Sequence, residues 1–219
     1  MGLCVVNDKL GLENNYNIKM AYAYHLKFNE NLWLSMGIGA GVLSKNIDFG
    51  QMTMEDPENL STDMENQWKP DFDAGLELAW KNLTVGASVT HVHQSKDASD
   101  LYSVPRHFYL YTRYQANISE NTVISPAFSV NSCFYRTQYE FNVSAFSNEF
   151  LYYGLSYRFE EAIVLLAGVQ INERFRLNYS YDIPSGPMIN QNSGSHEILL
   201  QIKLGSGGNI VQPSPRFFD

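Results

Sequence analysis

Residues 151–183 alternate between apolar and polar side chains with a period of two, over three successive segments. In the first segment one set of positions is Leu151, Tyr153, Leu155, Tyr157 and Phe159, and the other is Tyr152, Gly154, Ser156 and Arg158. The third segment repeats the pattern from Phe175 to Ile183, whereas the middle one is apolar on both faces at its start. Because successive side chains of a strand point to opposite faces, these segments predict a β-meander with one apolar face.

The same alternation recurs along the rest of the chain, and the 3.6-residue periodicity of helices is absent. It predicts twelve strands near residues 1–7, 15–27, 32–44, 71–80, 83–93, 105–117, 122–133, 137–147, 150–159, 162–171, 174–183 and 195–204. No linker or low-complexity tract divides the chain. We therefore expect one all-β domain over residues 1–204 and a C-terminal tail over residues 205–219.

The composition is that of a chain with few charges and many aromatic rings: 17% of the residues are charged and 14% are aromatic. No run of about 18 apolar residues is present, which excludes a transmembrane helix. The mean hydropathy of −0.26 does not exclude a transmembrane β-barrel, because the alternating strands of a barrel average out in hydropathy.

The net charge and the cysteine content were considered as indicators of the partner and of the cellular compartment. The net charge of −8 disfavours nucleic acid as a partner, since no basic patch is available to neutralise phosphates. Cys4 and Cys133 are predicted to be free thiols, and they do not indicate a cellular compartment.

Strand length and loop length distinguish a membrane barrel from a soluble β-sandwich, which also has one apolar face per strand. The strands reach ten or more residues, about the length that crosses a bilayer. The short connections fall at every second junction, at 28–31, 81–82, 118–121, 148–149 and 172–173. The other junctions are longer, at 8–14, 45–70, 94–104 and 184–194, with 134–136 and 160–161 as short exceptions. We expect an antiparallel up-and-down transmembrane β-barrel whose short turns and C-terminal tail, residues 205–219, are periplasmic. The soluble β-sandwich binding module stays as an alternative.

The two faces of the strands support the barrel. The apolar face has almost no charge away from strand ends, and aromatic residues near the termini suit girdles at the lipid headgroups: Tyr16, Tyr24, Phe72, Trp80, Phe159, Phe175 and Tyr181. The opposite face carries the charged residues Lys19, Asp73, Glu77, Arg113, Glu140, Arg158, Arg176, Asp182 and Glu197. This face suits a wet barrel interior, and we expect Asp73, Glu77, Arg158, Arg176 and Asp182 to form a structural charge network that fills or lines the lumen.

Three groups of residues have types that occur in active or metal sites. His91 and His93 could share one side of a strand end, but no third metal ligand is evident nearby. Ser193, Ser195, His196 and Glu197 include types used in hydrolysis, yet neighbours on a strand point to opposite faces. The acidic stretch over 46–68 matches no EF-hand spacing: its carboxylates are Asp48, Glu55, Asp56, Glu58, Asp63 and Glu65. We expect no enzyme activity, no catalytic or metal site and no cofactor.

Several segments resemble the PorP/SprF family of outer-membrane proteins of the type IX secretion system in Bacteroidota. They are Val6–Gly11, Ala21–Leu26, Leu34–Gly41, Gly154–Arg158, Leu166–Asn172, Tyr179–Asp182, Ser193–Ile198 and the closing Pro215–Phe218. No single segment is specific, but their order and spacing cover nearly the whole chain. The family normally begins with a signal peptide, an Asn-Pro-Ala-Tyr-like motif and an Arg-x-Gln-Trp motif. None of these features is found in this sequence. We therefore expect a fragment that lacks about two strands of a 14-stranded barrel.

The resemblance implies a non-enzymatic protein of the cell outer membrane that helps type IX cargo reach and remain on the cell surface. Its implied partners are secreted cargo proteins with C-terminal sorting domains, including gliding adhesins, together with other type IX secretion components and membrane lipid. An outer-membrane pore or solute-uptake channel is the alternative that shares the barrel.

Overall fold

The computed structural model describes residues 1–11, 13–47, 67–93, 104–186 and 193–202, and these residues form strands and no helices. The strands are β1 (Gly2–Leu10), β2 (Glu13–Asn29), β3 (Leu32–Ile47), β4 (Gln67–Trp80), β5 (Leu83–Thr90), β6 (His107–Tyr114), β7 (Ala116–Ser119), β8 (Thr122–Cys133), β9 (Arg136–Ser147), β10 (Leu151–Arg158), β11 (Ala162–Gln170), β12 (Phe175–Pro184) and β13 (Ser195–Ile202). Within the described ranges no helix is long and apolar enough to cross a membrane.

All thirteen strands form one antiparallel sheet in which each strand pairs with its neighbours in the chain, except that β6 and β7 both pair with β8 and not with each other. This is the up-and-down topology of a β-barrel that the sequence predicts. In the described part of the chain β1 and β13 are the two edges of the sheet and do not pair with each other. Because twelve strand positions alternate in direction, β1 and β13 run antiparallel to one another.

One predicted strand is interrupted. Residues 105–117 were expected to be a single strand, but the structure has β6 and β7 separated by Gln115. The backbone N–H of Gln115 donates to the carbonyl of Asn82, at 2.9 Å, in the β4–β5 turn. Both β6 and β7 pair with β8, and the β7 pairing is irregular between Asn117 and Ser119. The twelve predicted strands therefore become thirteen elements without a change of topology.

The prediction of a long loop at residues 8–14 is wrong. Leu10 pairs with Glu13, so β1 and β2 are joined by a short connection that includes Gly11, whose φ is +58°. The polar residues on both sides of this turn break the apolar alternation but still pair through their backbones. Backbone pairing also continues beyond the apolar alternation of β3 and β4, so both strands extend into the predicted loop 45–70. Residues 48–66 of that loop lie outside the described residues.

Strand β10 shows most directly which residues face which way. Its outer-face residues Leu151, Tyr153, Leu155 and Tyr157 are exposed, whereas Tyr152, Ser156 and Arg158 are buried on the opposite side, which we call the inner face. The predicted alternation is therefore confirmed, and the exposed outer face is strongly apolar. It carries Met20, Ile38, Leu76, Leu110, Leu165 and Ile198 among others. Of the predicted girdle residues, Tyr24, Phe72, Trp80, Phe159 and Phe175 are exposed on this face.

Apolar residues also pack on the inner face, at the far end of the sheet from β1. Tyr152, Val164 and Leu166 are 3%, 2% and 7% exposed, and Phe146 and Leu199 pack against them. This cluster explains why β11 is apolar on both faces at its start. Over β9–β13 side chains therefore fill the inner face.

The two cysteines are free, as predicted. Cys4 is exposed on β1 and Cys133 is half-buried at the end of β8.

Candidate functional site: the charged inner face of the sheet

A group of charged side chains, which we call the lysine cluster, joins β2 to β4 and the end of β5 on the inner face. Lys19 Nζ lies 2.8 Å from Asp71 Oδ2 and 2.8 Å from Asp73 Oδ2. Nδ1 of His91 is 2.9 Å from Asp71 Oδ2, and the backbone N–H of His91 donates to Asp73 Oδ1 at 3.2 Å. Asp71 is only 3% exposed, so its charge is compensated by these neighbours and not by water.

Glycines of β3 allow the lysine cluster to form. Lys19, Gly41 and Asp71 are directly opposite one another on β2, β3 and β4. Strands two positions apart are separated by roughly 9–10 Å, so the side chains of Lys19 and Asp71 must meet above β3. A Cβ at Gly41 would lie 2.7 Å from Lys19 Cα and 2.8 Å from Lys19 Cγ. The missing side chain therefore provides the space through which the lysine reaches the aspartates.

A second group, which we call the arginine cluster, consists of Glu140, Ser156, Arg158 and Asp182 on β9, β10 and β12. Arg158 Nη1 lies 2.6 Å from Asp182 Oδ2, and Arg158 Nε lies 3.3 Å from Glu140 Oε2. Ser156 donates its hydroxyl to Glu140 Oε1 at 2.5 Å. Arg158 thus bridges two carboxylates that come from strands on either side of it.

The same arrangement joins β4 to β6. Tyr111 donates its hydroxyl to Glu77, and Gly86 of β5 lies directly between the two residues in the register. A Cβ at Gly86 would lie 2.6 Å from Cζ of the Tyr111 ring. A glycine in the intervening strand again allows the contact.

The predicted charge network is divided among several sites. Arg158 and Asp182 meet in the arginine cluster, whereas Asp73 belongs to the lysine cluster. Glu77 binds Tyr111, and Arg176 Nε donates to Gln170 Oε1 at 2.6 Å while its guanidinium lies over the ring of Phe146. These contacts hold neighbouring and next-but-one strands together.

The residues considered for metal binding and for hydrolysis are not arranged for either role in the described part of the chain. His91 lies against Asp71 and His93 is exposed, and no group of three His, Cys, Asp or Glu side chains in the described residues is placed to hold a metal. His196 lies on the outer face, where its ring stacks on Tyr181 with centroids 4.5 Å apart. Ser195 and Glu197 flank it in sequence and therefore point to the inner face. The acidic residues Asp48, Glu55, Asp56, Glu58, Asp63 and Glu65 lie outside the described residues.

Sequence reasoning missed Asp71 and Tyr111 as partners in these clusters. Both lie on the polar face of their strands, and Asp71 is two residues from the predicted Asp73. Their partners are two strands away, so only the register identifies them. The sequence signal for such a contact is a glycine on the middle strand, with a lysine opposite it on one flanking strand and an acidic residue opposite it on the other.

Two comparisons with known proteins place this geometry in context. A protein-family model described as "Type IX secretion system membrane protein PorP/SprF" matches residues 1–202. No curated protein matches the chain. The match includes every described strand, from β1 to β13.

Proposed function

The chain belongs to the PorP/SprF family of type IX secretion system membrane proteins, and on this premise we propose that it is an outer-membrane component that helps to secrete cargo proteins or to anchor them at the cell surface. Membership in this family implies a membrane component that acts with other type IX secretion components. The proposed part is the cargo role, in which the protein binds C-terminal sorting domains, gliding adhesins included, without enzymatic activity.

The apolar outer face is the observation that supports placement of the sheet in the outer membrane. A water-soluble protein seldom exposes so large a continuous apolar surface. Here exposed Leu76, Leu110 and Leu155 lie on β4, β6 and β10, so the apolar surface extends over several strands of the sheet. This surface supports membrane lipid as the proposed partner of the outer face.

Replacing Leu155 by Lys tests this placement. Leu155 is 51% exposed in the middle of β10 on the outer face. A lysine at the middle of a bilayer is expected to cost about 2–4 kcal/mol of folding free energy. The fraction of the protein in the folded, heat-modifiable form should therefore be lower in lipid vesicles than for the wild type. Phe134→Lys is the matched control, because Phe134 is 68% exposed in the turn between β8 and β9. If both variants fold as well as the wild type, the outer face is not in lipid.

The loops at one end of the sheet support a docking role. Because the strands alternate in direction, the β3–β4, β5–β6 and β12–β13 connections emerge at the same end. They fall within the stretches 45–70, 90–107 and 184–195, where the long loops 45–70, 94–104 and 184–194 are predicted, and opposite them are the short turns at residues 30–31, 81–82 and 148–150. We propose that the long-loop end faces outward and holds the cargo domain while the sheet anchors it.

The filled inner face over β9–β13 favours docking over solute passage. Val164, Asn178 and Ser156 are at most 2% exposed there, whereas a water-filled channel would leave such side chains wet. The alternative pore predicts ion conductance in planar bilayers that does not depend on any secreted partner.

A pull-down measures the cargo role directly. The full-length protein, extracted in detergent from its own outer membrane, should retain a secreted protein's C-terminal sorting domain but not the same protein with that domain deleted. Equal retention of both forms, together with stepwise ion conductance in planar bilayers, would replace docking with the pore.

A further inference from the structure

A polar pocket of about 350 Å³ lies at the short-turn end of the sheet, opposite the proposed cargo end. Its lining comes from the β2–β3 turn, the β4–β5 turn and the inner face of β3 and β4: Glu30, Asn31, Trp33, Ala79, Lys81 and Asn82. This volume is near the lower end of the range of roughly 300–1,000 Å³ that small-molecule sites occupy. The pocket therefore has room for a small ligand.

Hydrogen bonds hold the two turns of the pocket in place. The backbone N–H of Lys81 donates to the carbonyl of Asn31 at 2.7 Å, which joins one turn to the other. Nδ2 of Asn82 donates to the carbonyl of Gln115 at 2.7 Å, and the Asn82 carbonyl accepts from the Gln115 N–H at 2.9 Å. The backbone N–H of Asn31 donates to Asn29 Oδ1 at 2.8 Å. The pocket is therefore preorganised, which lowers the entropy cost of binding a ligand.

One wall of the pocket is the indole ring of Trp33. Lys27, Trp33 and Ala79 are directly opposite one another on β2, β3 and β4. Nζ of Lys27 lies over the indole, 5.0 Å from the ring centroid. On β4 the methyl side chain of Ala79 is too short to cover the indole, and Ala79 and Trp33 both line the pocket. The pocket therefore combines an aromatic surface with polar groups.

The charges of the lining favour a neutral ligand. One cation, Lys81, and one carboxylate, Glu30, balance each other, and the other polar side chains are the amides of Asn31 and Asn82. Amides both donate and accept hydrogen bonds, carboxylates accept them, and ammonium groups donate them. Hydroxyl groups can pair with all three, and an indole ring offers a large, rigid apolar surface beside them. A molecule rich in hydroxyl groups that also has an apolar ring face matches this lining.

We propose that the pocket binds a neutral carbohydrate, with one sugar ring packed on Trp33 and its hydroxyl groups hydrogen-bonded to Glu30, Asn31 and Asn82. Two sources share this chemistry: a glycan of N-acetylated amino sugars, such as the cell wall contains, and a plain glucan. The site lies at the end of the sheet opposite the long loops, so the proposal goes beyond the cargo role and does not depend on it.

Isothermal titration calorimetry of the full chain tests the site, in lauryldimethylamine oxide, a detergent without a sugar headgroup. The probes are chitotriose, maltotriose and inorganic phosphate. Wild type should bind at least one trisaccharide saturably and should not bind phosphate, and the tighter trisaccharide identifies the source. Trp33→Leu should weaken that binding about tenfold, because the ring surface is lost. Asn31→Ala should weaken it about fivefold, because one hydrogen-bonding side chain is lost while the backbone bond to Lys81 remains.

Matched variants separate this pocket from sugar bound elsewhere. Trp80→Leu removes an indole at the same end of β4 that is 54% exposed, and Asn121→Ala removes an exposed asparagine from the short turn before β8. Both should bind the trisaccharide like the wild type. Failure of the wild type to bind either trisaccharide, saturable binding of phosphate instead, or equal losses in Trp33→Leu and Trp80→Leu would overturn the proposal. Because the secretion role is tested by cargo retention, the two proposals can fail separately.

Discussion

Arg158→Ala is expected to lower the free energy of unfolding by about 3 kcal/mol. Removing one partner of a buried ion pair costs about 3–5 kcal/mol, because the remaining charge is left without compensation. The Glu140 and Asp182 side chains are each 21% exposed, so water compensates part of the loss and the lower end of that range applies. Urea titration of the detergent-folded protein, followed by tryptophan fluorescence, measures the change.

Two further variants identify the cause of that loss. Arg174→Ala removes an exposed arginine and should change the unfolding free energy by less than about 0.5 kcal/mol. Adding Glu140→Gln and Asp182→Asn to Arg158→Ala should recover part of the stability, because no unpaired carboxylate then remains. If Arg158→Ala unfolds at the same urea concentration as the wild type, the arginine cluster does not hold β9, β10 and β12 together.

Gly41→Ala is expected to destabilise the protein by about 2 kcal/mol, although it adds only one methyl group. The new Cβ would lie 2.7 Å from Lys19 Cα, which is backbone of the paired strand and cannot rotate away. Either β2 and β3 separate locally or Lys19 is displaced from Asp71 and Asp73. Overpacking of this kind costs about 1–3 kcal/mol.

Gly37→Ala is the matched control for this substitution. Gly37 lies four residues earlier on β3 and on the same inner face, but its added Cβ would have only the carbonyl oxygen of Tyr22 within 4 Å, at 3.9 Å. Glycine inside a strand is itself unfavourable by about 0.5–1 kcal/mol, so this variant should be neutral or slightly more stable. Equal effects of the two substitutions would mean that the space above Gly41 is not needed by Lys19.

The topology could be predicted from the sequence because the alternation of β10 and β12 fixes both the strand type and the apolar face. The ends of the strands could not, as the β1–β2 turn shows. Asn14 and Asn15 continue the ladder through backbone hydrogen bonds, which carry no signature in side-chain polarity. At the break, the backbone N–H of Gln115 donates to the carbonyl of Asn82, a contact that side-chain polarity does not indicate either.

The clusters on the inner face were predictable only in part. Charged residues on that face could be identified strand by strand, but their partners depend on the register. Lys19 meets Asp71 across a third strand, and a shift of one residue would place Gly41 elsewhere and close the gap. The packing of Val164 and Leu166 on Tyr152 was also not evident, because an apolar residue on the inner face resembles one that faces lipid.

The central claim is that this family member supports the export of cargo to the cell surface. The most direct measurement deletes its gene and quantifies, on intact cells and in the medium, the proteins that end in a C-terminal sorting domain. The account predicts that at least one such protein disappears from the surface and accumulates inside the cell envelope, and that the full-length gene restores it. Unchanged surface levels of every such protein in the deletion strain would contradict the cargo role.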